Sequence, residues 1–375
     1  MKDTYVLGGV RIIGRSEDSD IVIKNGRIAA IMEAGQGQLG RSIKKIDCQG
    51  LYVSSGWIDM HVHAFPAFDP YGDDIDEIGV HQGVTTVVDA GSCGADRIGE
   101  LLSGGKEAKT RLLAFLNISR IGLSRLDELS LMEWIDREKV KRVLERYRSD
   151  IVGLKARISR SVVLDQGIEP LQAARELSDE TGLPLMVHIG SGPPDIREVI
   201  PYLQRNDIVT HYLNGKENNL FDEDGKPLQV LRDAVTRGVH LDVGHGTASF
   251  SFRVAEAAKR SGIDPDTIST DIYRGNRLNG PVYSMANVLS KFLLLGYSLE
   301  QVIHAVTIRA AAWLGRPELG VIQVGGDPAN LTLFRVVKAK TILRDSEGEE
   351  RITDQFIQAE GVVANGEYIA CQIRA

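Results

Sequence analysis

Four of the eight histidines, His61, His63, His188 and His211, stand at the ends of short apolar or β-branched runs, and Asp271 closes another such run. Two residues apart on one extended strand, His61 and His63 point to the same side, because successive side chains alternate. Two imidazoles can then share one cation, and neutral imidazoles with a carboxylate suit zinc and similar divalent metals. Lys155, inside the run Gly153-Leu-Lys-Ala-Arg, is expected beside them. Two chemistries are open to it: an ammonium held in a salt bridge, or a neutral amine that has taken up carbon dioxide as a carbamate. The carbamate is an anionic ligand with two oxygens, able to bridge two metals.

These residues meet only if the runs that carry them converge. From residue 51 onward, short apolar runs alternate with amphipathic stretches, the βαβα pattern of a parallel sheet with helical crossovers. Eight runs are expected as strands: 57–63, 84–90, 112–118, 151–158, 185–189, 208–212, 239–243 and 268–272. Eight is the number of a (β/α)8 TIM barrel, whose strands end at one catalytic mouth. The ends of the chain differ, reading as glycine-punctuated strands without a long helix. The expected fold is therefore α/β, a TIM barrel over 53–313 with a small β-sandwich domain formed from both termini, 1–52 plus 314–375. Asn25-Gly26 reads as a hairpin turn, and the charged stretch 345–351 as a solvated hairpin tip.

Composition removes several classes. The 375 residues include 51 Asp+Glu against 44 Lys+Arg, a formal charge of −7, so nothing global favours nucleic acid or an anionic membrane. Cys48, Cys93 and Cys371 are too few for a disulfide framework or a cysteine zinc site. With no signal-peptide pattern and no membrane-length apolar run, a cytoplasmic location is expected. The glycines at 26, 325 and 326 lack the spacing of a phosphate loop. His81, His240 and His304 fall away from the expected mouth and read as structural, as does Cys93.

The segments Gly56-Trp-Ile-Asp-Met-His-Val-His and Gly83-Val-Thr-Thr-Val-Val-Asp, a lysine on the fourth strand, single histidines on the fifth and sixth, and Ser269-Thr-Asp resemble the amidohydrolase superfamily in its binuclear branch. Leu314 to Phe334 is similar to that family's return into its β-sandwich. The resemblance spans nearly the whole chain. It implies two divalent metal ions, expected to be zinc: His61, His63 and Asp271 on the first, His188 and His211 on the second, and a CO2-derived carbamate on Lys155 bridging them. It implies hydrolysis of an amide or ester by a hydroxide held between the ions, with Asp271 as the catalytic proton carrier.

Two branches of the family are weighed. Dihydroorotases typically follow the His-Xaa-His pair with an arginine, whereas here Ala64-Phe-Pro-Ala-Phe-Asp follows. The segments 153–160, 187–194, 211–218, 242–247 and 271–276 look closer to a dihydroorotase-like deacetylase branch acting on acetyl-(R)-2-hydroxy acids and N-acyl-D-amino acids. The implied partner is a small molecule carrying a carboxylate. Arg157 is its candidate anchor, through a guanidinium fork, with Arg274 also a substrate-binding candidate and Arg160, Lys216 and Arg277 weaker ones. Gly280 and Pro281 after strand eight, and Tyr212 and Asn214 after strand six, are further substrate-binding candidates. His245 is a candidate substrate contact or a partner orienting a metal ligand. The alternatives are a cyclic amide hydrolase of dihydroorotase or hydantoinase type and a non-catalytic barrel scaffold. A homo-oligomer is expected by analogy.

Overall fold

The computed structural model describes residues 4–36, 43–326 and 328–372. The first five strands are β1 (Tyr5–Ile12), β2 (Asp18–Lys24), β3 (Arg27–Glu33), β4 (Lys44–Asp47) and β5 (Tyr52–Ser55). Seven more follow: β6 (Trp57–Val62), β7 (Val84–Ala90), β8 (Arg111–Asn117), β9 (Ile151–Ile158), β10 (Leu185–Ile189), β11 (Ile208–Thr210) and β12 (His240–Asp242). The last are β13 (Leu331–Val337), β14 (Thr341–Arg344), β15 (Glu350–Thr353), β16 (Phe356–Ala364) and β17 (Glu367–Ala370).

Strands β6 to β12 lie side by side in chain order in one parallel sheet. Every residue of β6 and β7 is buried, as expected where helices cover a parallel sheet. Helices such as Ile98–Glu107, Arg137–Tyr147 and Glu169–Thr181 form the crossovers. Asp136 caps the second by accepting the Lys139 N–H, and Gly182 ends the third with a left-handed φ of 64°. Sequential parallel strands joined this way bring all their C-terminal ends to one side.

The expected eighth strand is not there. Residues 267–272 touch both edges of the sheet, through the isolated bridges Asp242↔Thr267 and Val62↔Ile272 and through single backbone bonds such as Asp271 N–H to the His61 carbonyl and Gly246 N–H to the Thr270 carbonyl, without forming a strand. The sheet therefore does not close as a continuous eight-stranded ladder. Two features of the segment account for this. Asp271 takes a φ of 54°, outside the extended region, and the Thr270 N–H donates to the Asp59 carboxylate at 3.1 Å instead of to a strand carbonyl.

Both ends of the chain contribute to a second sheet, ordered β17-β16-β13-β5-β1-β2-β3, with β4 also paired to β1. β1 pairs with β4 at Tyr5–Gly8 and with β5 at Arg11–Ile12, so the sheet forks. The fork coincides with a bulge between Leu7 and Val10, where Gly9 has a φ of 72°. Its own core includes Leu7, Val10, Ile21, Ile23, Val53, Leu331 and Val363. What was expected as a two-sheet sandwich is thus one forked eight-stranded sheet. Asn25 and Gly26 both have positive φ, as a two-residue type I′ hairpin requires.

The stretch 345–351 is a hairpin tip as expected, exposed at 347–350, but its first residue is buried. β14 and β15 form a separate hairpin, and Asp345 at its turn is 1% exposed. Its carboxylate accepts the Phe252 N–H at 3.0 Å, while the Ser346 N–H donates to the Phe250 carbonyl. Asp345 alone departs from the solvated form, because its carboxylate serves a backbone donor of a segment almost a hundred residues earlier. Among the described residues, no helix is long and apolar enough to cross a membrane.

Candidate metal centre

Alternation along β6 places His61 and His63 on one side, with ring centroids 5.7 Å apart. Asp271 joins them: its Oδ1 lies 3.1 Å from His63 Nε2 and 3.4 Å from His61 Nε2. The left-handed backbone that breaks the eighth strand is what presents this carboxylate. His211, just beyond β11, brings its ring to 5.0 Å from His61 and 4.4 Å from His188 at the end of β10. Ligand atoms of His61, His211 and Asp271 all lie within 4.8 Å of one another, a grouping that can hold a metal ion.

Hydrogen bonds on the far nitrogens settle which ring atoms face the centre. His211 Nδ1 must donate, because its partner is the Gly244 carbonyl at 2.5 Å. That leaves Nε2 as a bare lone pair, buried and without a hydrogen-bond partner. An orphaned, buried imidazole nitrogen grouped with a carboxylate and the His61 and His188 rings fits a metal ligand. His61 Nδ1 meets the Thr210 hydroxyl at 3.0 Å, and that hydroxyl donates to Asp242 Oδ2 at 2.7 Å. With its hydrogen spent on Asp242, Thr210 can only accept from His61, so Nε2 of His61 is again the free atom. His63 Nδ1 is 2.8 Å from the Ser92 hydroxyl.

Electrostatics agree with neutral ligands. Burial first, and neighbouring cations second, push His61, His188 and His211 below the usual imidazole range. Burial raises the Asp271 carboxyl, but His61, His63 and His211 override it and hold the group well below the usual range, so it stays ionised. Lys155 is 1% exposed, with Nζ 3.4 Å from His61 Nε2 and 3.2 Å from Met186 Sδ. Burial lowers its ammonium to about 7, so the neutral amine, the form that reacts with carbon dioxide, is populated at neutral pH. The backbone at Gly91 passes so close that a methyl there would sit 2.6 Å from Lys155 Cβ.

No family model matches the chain. A protein named deacetylase from Enterococcus faecalis is 39% identical over 350 residues, covering 93% of this chain and 94% of that one. A crystal structure of an adenine deaminase superposes with a TM-score of 0.91 at 37% identity, covering 98% of this chain and all of the other. A crystal structure of a dihydroorotase superposes at 0.88 with 32% identity, covering 98% and 99%. The chain belongs to the amidohydrolase superfamily. It is a hydrolytic enzyme, and the His/Asp group is where this amidohydrolase can bind metal.

The residues expected to touch substrate fare unevenly in this amidohydrolase. Arg157 is near the centre, but its guanidinium faces the fully buried Glu128, with Nη1 to Oε2 at 3.5 Å. Tyr212 is corrected: it is fully buried in the apolar core, and burial raises its phenol, with Tyr297 and Asp264 adding to the shift. The chain reverses direction after His211, whose φ is 69°, which turns Tyr212 inward. The Asn214 amide donates to the His211 carbonyl at 2.9 Å and accepts the Lys216 N–H.

His245 is fully buried, stacked on Phe250 at 4.6 Å, and bonded to Lys291. The Pro281 carbonyl is taken by Lys291 Nζ at 2.8 Å, and Gly280, with a φ of 77°, packs under Tyr283. Arg274 faces Asp73 at 3.5 Å and is half exposed, while Arg277 is clamped between Asp73 and Glu77. Arg160 is exposed.

Several positioning residues escaped the sequence reading. Asp242 collects the hydroxyls of Thr210, Ser269 and Thr267, each at 2.7 Å. Ser269 in turn accepts the Gly244 N–H, tying the loop that holds His211 to the residue before Thr270. Asp89 accepts the N–H groups of Ala64 and Ser92, setting Ser92 under His63. The signal available was a strand-end Asp, Ser or Thr beside each histidine strand.

Proposed function

We propose that this amidohydrolase is a deacetylase of N-acetyl-D-amino acids or O-acetyl-(R)-2-hydroxy acids. The observation that carries the reading is the near full-length similarity to a protein named deacetylase, combined with the buried, unpartnered His211 Nε2 grouped with His61 and Asp271. His61, His63 and Asp271 would hold one divalent ion and His188 and His211 a second, zinc in both cases, with Lys155 as the bridging carbamate. Forming it joins Lys155 nitrogen to the carbon of CO2 and releases one N–H proton. When bound, such ions polarise a carbonyl and lower the pKa of water toward neutrality.

The protein's own part follows from its geometry. Asp271, ionised and fixed between two imidazoles, takes a proton from the attacking water and passes it to the departing nitrogen or oxygen. Asp242, through Thr210, keeps His61 in the tautomer that leaves Nε2 free. Gly246 abuts Asp271 Oδ2 with no room for a side chain between them, which limits the carboxylate's swing.

The reading extends to the barrel region 53–313 as the catalytic unit beside a terminal β domain (1–52 and 314–375), in a cytoplasmic homo-oligomer acting on a small carboxylate-bearing molecule and on neither nucleic acid nor membrane. The test is acetate release by the zinc-loaded protein from paired D and L N-acetyl amino acids and R and S O-acetyl 2-hydroxy acids. Selective turnover of the D or R hand supports it. Turnover of dihydroorotate or hydantoin alone would favour the cyclic amide alternative, which the similarity to a dihydroorotase structure keeps in view.

A further inference from the structure

Lys216 stands out among the cations near the metal centre. It follows β11 by six residues, and its position is tied to a metal-ligand candidate: Asn214 accepts the Lys216 N–H at 3.1 Å and donates to the His211 carbonyl at 2.9 Å. Across from it is Gly190, two residues after His188. A methyl built on Gly190 would lie 3.4 Å from Lys216 Nζ, 3.5 Å from His188 Nε2 and 3.1 Å from Ser159 Cβ. The missing side chain leaves a notch with room for about one atom, crowded by Ser159 and bounded by an ammonium on one side and a candidate ligand on the other.

The charges around this notch are unbalanced. Lys216 is half-buried and makes no ion pair among the described residues. Burial disfavours its charge, Asp271 attracts it and Arg157 repels it. Arg157, the other cation here, already faces Glu128. The Glu347 carboxylate packs against Gly215, one residue away, yet forms no ion pair with Lys216. A partly desolvated ammonium without a counter-ion is costly, and an anion delivered by a ligand relieves that cost.

We propose that Lys216 is the specificity residue that binds the substrate's carboxylate, one of whose oxygens would reach its ammonium beside Gly190, in place of the Arg157 anchor expected from the sequence. The inference rests on the deacetylase reading for its substrate. An ammonium is a compact donor that suits a single carboxylate oxygen, and its placement beside His188 directs the rest of the molecule toward the metal-ligand side chains.

The test compares N-acetyl-D-alanine with its neutral carboxamide on the zinc-loaded full chain, following both acetate release and binding by calorimetry. For Lys216→Met, kcat/KM on the carboxylate should fall about 10- to 100-fold, the worth of one charge-assisted hydrogen bond, mainly through KM. The carboxamide should change by no more than about twofold, and Lys216→Arg should recover part of the loss. Equal losses on both compounds, or no loss on the carboxylate, would overturn the assignment. If wild type releases acetate from neither compound, the deacetylase reading fails and binding alone decides the role of Lys216. Preference for the carboxylate that disappears in Lys216→Met supports the assignment, and absence of any preference overturns it.

Discussion

Lys291 Nζ lies 2.8 Å from His245 Nε2, and both side chains are fully buried. His245 Nδ1 donates to the Gly246 carbonyl, so its Nε2 is the acceptor and Lys291 the donor. Lys291 also donates to the Pro281 carbonyl. The pair thereby ties together the loops that follow β12 and the Asp271 segment, and Ser346 from the hairpin adds a bond to the Gly246 carbonyl at 2.9 Å.

The Lys291 contact has a pH signature. Burial lowers this ammonium from 10.5 to about 7. Between those values the unfolded chain binds a proton that the folded chain does not, so this group makes stability rise with pH from about 7 to about 10.5. Below pH 7 its destabilising contribution is fully present. Lys291→Met should remove that slope. It should cost about 1–3 kcal/mol above pH 8, where the amine is neutral and its loss strands two acceptors, with a smaller gap below pH 7. Denaturant melts of both proteins across this range check it.

Asp242→Asn should loosen the metal site without touching a ligand. An amide cannot accept from Thr210, Ser269 and Thr267 together, so Thr210 no longer reliably accepts from His61. Divalent metal affinity is expected to fall about 10- to 100-fold, read by competition against a chromophoric chelator.

Asp271→Asn keeps the size that fits against Gly246 but loses the proton-accepting charge. Circular dichroism should be unchanged, while turnover falls about 10²- to 10⁴-fold. Retained turnover at full metal occupancy would remove Asp271 from its proposed role.

Asp345→Ala removes a carboxylate that accepts the N–H groups of Phe252, Glu347 and Glu349. The β14–β15 hairpin should detach from the barrel side, lowering stability by about 2 kcal/mol. Protease cleavage confined to the hairpin is the accompanying readout.

How far the sequence reached depends on the range of the interaction. Alternation puts His61 and His63 on one side with two residues of context, and repeated βα units bring the ends of β6, β10 and β11 together. Asp271 was readable as a residue at the mouth, yet not as the residue whose positive φ interrupts the eighth strand. Direction after a turn was equally hidden: Tyr212 and His211 are adjacent, and only one faces the centre. His245 finds its partner, Lys291, 46 residues on, beyond the reach of a local reading. Within the exposed 345–351 tip, the burial of Asp345 was hidden for the same reason, because it answers the Phe252 N–H.

The central claim is that the side chains around Asp271 hold the divalent metal on which hydrolysis depends. The most direct measurement is metal analysis of the purified protein together with acetate release before and after chelation, followed by zinc addition. Two equivalents of divalent metal, loss of turnover with the chelator and its return with zinc are the predicted result. Turnover that persists in protein shown to be metal-free would contradict it.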